Sequence, residues 1–164
     1  MKDLYAQDVA EMVERETRKY EIWEIESPKH PDFEQAWQVL WDCFGEAGEM
    51  ERKDVVASFL DDDPFVPSAA GTFMKYFLII ARGKDGRIRG VRDGTILINP
   101  GYSPDLCLVY LSHIYMMEDA RGTVLSYWLR IAPVEVAYKE DWQSQHRGVE
   151  AQEAQRIYPE WLPH

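Results

Sequence analysis

Positive charge is scarce in this chain: 18 Lys and Arg stand against 29 Asp and Glu, for a formal charge of −11. That balance argues against sequence-independent nucleic-acid binding, which depends on neutralising phosphates with Lys and Arg. An acidic surface keeps the protein soluble and suits cationic small molecules or basic partners. Cysteine is nearly absent. Cys43 and Cys107 are the only two, and they form neither a disulfide framework nor a zinc-ligand spacing, so a reducing cytoplasm is expected. Long apolar runs are missing as well. The longest, such as "YFLIIA", are far too short to span a bilayer, and "MKDLYAQDVAEMVERETRKY" has no apolar signal-peptide core. No histidine–carboxylate spacing reads as a metal site. The expectation is a soluble cytoplasmic protein with neither membrane nor nucleic acid as a partner.

What is present suits a single packed domain. The 164 residues are enough for one real core, and 46% hydrophobic with 29% charged residues is a globular composition. Residues 3 to 18 carry an apolar stripe at Leu4, Val9, Met12 and Val13, which predicts a helix. "YEIWEIES" alternates Ile22 and Ile25 with acidic neighbours and reads as a short edge-type strand. Asp32 is placed to cap a helix through "FEQAWQVLWDCF", where Phe33, Trp37, Leu40, Trp41 and Phe44 recur at helical spacing. Glycines in "GEAGEM" end that helix, and "ERKDVVASFL" predicts a shorter one.

After the proline-containing loop "DDDPFVPSAAG" the period changes from helix to strand. "KYFLIIAR", the turn "GKDG" and "RIRGVRDGTILIN" predict a hairpin, with Asp93-Gly94 as a bulge or turn inside its second strand. "LCLVYLSHIYMM" predicts a third strand, apolar enough for the middle of a sheet. "RGTVLSYWLRIAPVEVAYKEDW" reads as a helix that Pro133 kinks or interrupts, and the polar tail carries a helical pattern to Arg156. The fold class is α+β, or mixed α/β, in one domain over 1–142 with a tail over 143–164.

That order of elements, with "YLSHIYMMEDARGTVLSYWL", resembles the GNAT superfamily of N-acetyltransferases. The family's signature is Arg or Gln, two free positions, Gly, one free position, then Gly or Ala, at the mouth of a helix. Arg121 matches the leading position, and Gly122 and Thr123 fill the free ones. Val124 stands at the first glycine position, Leu125 at the next free one and Ser126 at the second small position. A helix N-terminus presenting several N–H groups suits a pyrophosphate. Val124 crowds such a group, although in helical φ/ψ it still offers its N–H.

The resemblance implies an antiparallel meander with flanking helices, acetyl-CoA as co-substrate, and Ile114, Tyr115 and Met116 as the strand end beside the pantetheine arm. It also implies an amine acceptor, small or on a protein, whose proton must be removed. His113 suits proton transfer near neutral pH. Glu46, Glu49 and Glu51 fall where the family's acceptor loop lies, with Glu49 as the second catalytic candidate. Tyr110, Tyr115 and Tyr127 offer hydroxyls, none placed as the acid. After "VEVAYKEDW" no strand-like run is left for the family's closing half. The third strand would then have an open edge, to be covered by Trp142, Tyr158, Trp161 and Leu162 of the tail or by a second protomer, unless the chain is a fragment of a longer protein. The competing readings are a catalytically inactive GNAT-like binding or assembly domain and an unrelated α+β domain.

Overall fold

The computed structural model describes Arg15, residues 18–103 and residues 106–145. The expected helix over 3–18 and the tail from 146 onward therefore lie, apart from Arg15 and Arg18, outside the described residues. The elements are β1 (Tyr20–Glu24), α1 (Phe33–Phe44), α2 (Lys53–Asp61), β2 (Phe73–Gly83), β3 (Ile88–Ile98) and β4 (Cys107–Met116). A 3-10 turn (Glu118–Ala120) and α3 (Leu125–Gln145) follow. The four strands form one antiparallel sheet in the order β1-β2-β3-β4. The mixed α+β class is as the sequence suggests.

Side-chain alternation along β2 builds two cores. Leu78 and Ile80 point to one face, where they meet Phe33, Ala36 and Leu40 of α1, Val56 of α2, and Ile25, Met50 and Val91. Phe77, Ile79 and Ala81 point to the other, against Leu125, Leu129, Val136 and Ala137 of α3. β2 is thus buried on both faces, which is why it reads as a continuous apolar run rather than an alternating one. The sheet becomes the middle layer of a three-layer stack.

Four local expectations are corrected. Asp32 does not cap α1: its backbone is already helical (φ −91°, ψ −5°), and its carboxylate is committed to an ion pair with Arg82. Pro133 neither ends nor interrupts α3, which runs through it to Gln145. The ring removes one backbone hydrogen bond, and burial of Leu129, Pro133, Val136 and Ala137 holds the helix across that point. The same helix begins at Leu125 rather than Arg121, because Gly122 takes φ +72° and turns the chain first. Among the described strands β4 is the outermost rather than a central one. Its Val109, Ile114 and Met116 pack beneath α3, while Leu108, Tyr110 and Leu111 remain exposed.

Candidate active site

The β3–β4 pairing breaks register at one place. Arg92 faces Ile114 and Gly94 faces Leu111, so Asp93 alone stands opposite Ser112 and His113. This is a β-bulge in β4, and it turns two successive residues toward the α1–α2 side. Gly94 makes the close approach possible. A Cβ there would collide with the Tyr110 carbonyl oxygen and lie 2.5 Å from the Phe77 ring.

Asp93, only 2% exposed, uses the bulge. Its Oδ1 accepts from the His113 backbone N–H at 2.8 Å and lies 2.9 Å from His113 Nδ1. Its Oδ2 accepts from the Tyr76 hydroxyl at 2.8 Å. A buried carboxylate survives only with such partners. In return, burial, the Asp93 charge and the hydrogen bond to it push the Tyr76 hydroxyl far above the ordinary tyrosine range. Tyr76 is therefore a fixed donor. On the opposite face, burial lowers Arg92 from its usual value, and the neighbouring Asp93 charge opposes that shift.

The other ring nitrogen of His113, Nε2, lies 2.9 Å from the carbonyl oxygen of Glu49, in the loop between α1 and α2. A neutral imidazole has one N–H and can satisfy only one of these two acceptors; the protonated ring satisfies both. Phe44 packs on the ring, with centroids 4.7 Å apart. Around this group opens a cleft of about 510 Å³, walled by Phe44, Met50, Val56, Phe59, Tyr76 and Tyr110. Glu49, Glu51, Asp93, Thr95, Ser112 and His113 complete the lining.

The structure therefore brings His113 and Glu49 together, but Glu49 contributes its backbone carbonyl rather than its carboxylate. Glu51 also lines the cleft, whereas Glu46 is exposed and does not. Sequence reasoning misses Asp93 as the partner of His113, and Tyr76 as the donor to Asp93. The available signal is an aspartate inside an otherwise apolar strand, a position that requires paired donors.

At the end of β4 the strand runs into the turn. Ile114 and Met116 pack toward α3 and Tyr115 toward the α1–α2 side, so only their backbones share a direction of approach. Arg121 folds back: its Nε donates to the Met116 carbonyl at 3.1 Å, and its guanidinium lies 5.7 Å from the Tyr115 ring centroid. Thr123 Oγ1 accepts from Leu125 N–H at 3.3 Å, and the Thr123 carbonyl accepts from Ser126 N–H at 3.3 Å. Two of the five N–H groups from Gly122 to Ser126 are thus already used. Those of Gly122, Thr123 and Val124 have no protein acceptor among the described residues.

No family model, curated protein or solved structure matches this chain. Among the described residues no helix is long and apolar enough to cross a membrane.

Proposed function

We propose that the chain is an acetyl-CoA-dependent N-acetyltransferase acting on an amine, with the architecture of a GNAT-like domain. The observation that carries this reading is the Asp93–His113 pair at the floor of the cleft, with Nδ1 and Oδ1 2.9 Å apart. With Nδ1–H held by Asp93, Nε2 carries the ring's basic lone pair, and the base–orienter arrangement is that of acid–base catalysis generally. A proton taken at Nε2 from the acceptor ammonium would create an N–H already facing the Glu49 carbonyl. The imidazolium formed is then stabilised by acceptors on both sides.

The residues present fit an acyl-CoA in two respects. Among the described strands β4 pairs with β3 alone, and an extended arm laid along its other side would hydrogen-bond to it as an added strand. The N–H groups of Gly122, Thr123 and Val124, beside the start of α3, suit a pyrophosphate. When bound, acetyl-CoA supplies the thioester whose acyl group passes to the amine with loss of the thiolate. Release of free thiol from acetyl-CoA in the presence of a primary amine, lost in His113→Gln, tests the reading. The outer strand of the described sheet, with Leu108 and Tyr110 exposed on it, favours a second reading as an assembly domain, for which thiol release would be absent.

A further inference from the structure

The cleft above His113 also constrains what the acceptor amine carries, an inference that rests on the acetyltransferase reading. We propose that the acceptor is a small primary amine with an apolar, ring-bearing body, of the 2-phenylethylamine type, rather than a polar diamine. About 510 Å³ is within the range that encloses a compact organic molecule. Its walls are mainly apolar and aromatic. Phe59 and Tyr76 sit 5.7 Å apart at 45°, offering ring faces and edges to a flat guest. No Lys or Arg lines this space, while Glu49 and Glu51 stand at its exposed side. A cationic head is therefore attracted and an anionic one is not.

Charge also decides against a second cationic end. Phe59 and Tyr76 separate the cleft from a smaller hollow of about 280 Å³ that contains Glu24, Glu26 and Asp62. That hollow is less acidic than its three carboxylates suggest, because Lys75 and Lys139 also line it. Lys75 lies 3.0 Å from Glu24 and Lys139 2.8 Å from Glu26, so both glutamates are paired within it. Burial, outweighing the Lys75 charge, raises the Glu24 carboxyl above its ordinary value. A distal ammonium would have to compete with two lysines already in place. Asp62, outside both pairs, is exposed to water that screens its charge, so the hollow gives a diamine little gain, and an apolar body ending against Phe59 and Tyr76 uses what the walls offer.

Calorimetric titration of the full chain with 2-phenylethylamine, ethylamine and 1,4-diaminobutane tests this, followed by thiol-release assays with acetyl-CoA. The expected result is saturable binding of 2-phenylethylamine, tighter than the other two by roughly tenfold or more. Phe59→Ala should weaken 2-phenylethylamine by roughly tenfold and leave ethylamine unchanged. Ser112→Trp, at an exposed lining position, should fill the cleft and abolish 2-phenylethylamine binding, and it carries the test if Phe59→Ala does not fold. Equal or tighter binding of ethylamine or 1,4-diaminobutane overturns the inference, as does undiminished 2-phenylethylamine binding in Ser112→Trp. Selective binding without acetyl transfer supports the amine site and removes the transferase reading. Equal transfer to all three amines does the reverse.

Discussion

Asp93 holds His113 twice, through the backbone N–H at 2.8 Å and through Nδ1 at 2.9 Å, with the same carboxylate oxygen. The first bond secures the bulge and the second orients the ring, so one side chain links the shape of β4 to its chemistry. Asp93→Asn keeps the size but removes the charge from these bonds. The expected loss is about 1–3 kcal/mol of stability, measured by urea unfolding. Unchanged stability would mean that the carboxylate does not hold the bulge.

His113→Gln retains polarity at the floor of the cleft but removes the titrating ring. Thiol release from acetyl-CoA should fall by roughly 10²-fold or more in kcat, with the far-ultraviolet spectrum unchanged. Full activity would assign proton removal to another group.

Tyr76 gives a pH-dependent signature. Its folded-state value is raised by burial first, then by the Asp93 charge and hydrogen bond, above the ordinary value of 10.0. Below pH 10 both folded and unfolded states hold the proton, so the shift has no effect on the slope of stability with pH. Above it the unfolded state releases the proton first, so the native state binds more protons and stability falls as pH rises. Tyr76→Phe should lose about 1 kcal/mol near neutrality and show a shallower alkaline decline. An identical decline in both proteins would contradict the assignment.

Two glycines separate crowding from backbone strain. Gly94→Ala forces a methyl group into the Tyr110 backbone and the Phe77 ring, and should cost about 2 kcal/mol or more. Gly122, at φ +72°, has open space for 4 Å around the point where a methyl group would stand, so Gly122→Ala should cost only about 1 kcal/mol. Thermal unfolding of the two variants checks the order.

The apolar periodicity makes most of the fold legible. Leu78 and Ile80 alternate with Phe77 and Ile79, and the helices before and after β2 carry the matching apolar faces. Position in the sheet is less readable. The apolar content of "LCLVYLSHIYMM" suggests a central strand, yet Leu108 and Tyr110 are 50% and 61% exposed on an outer one. Hydrophobicity reports a preference for burial, not which neighbour supplies it. The site is half legible: His113 stands out by its own chemistry, whereas Asp93 and Tyr76 join it from β3 and β2 only through strand register.

The most direct test of the acetyltransferase account is calorimetric titration with CoA of the unaltered chain and of Arg121→Ala. Arg121 ties the turn to the end of β4 through the Met116 carbonyl and the Tyr115 ring. The account predicts saturable binding to the unaltered chain and clearly weaker binding once that tie is removed. No heat of binding at millimolar CoA would contradict it.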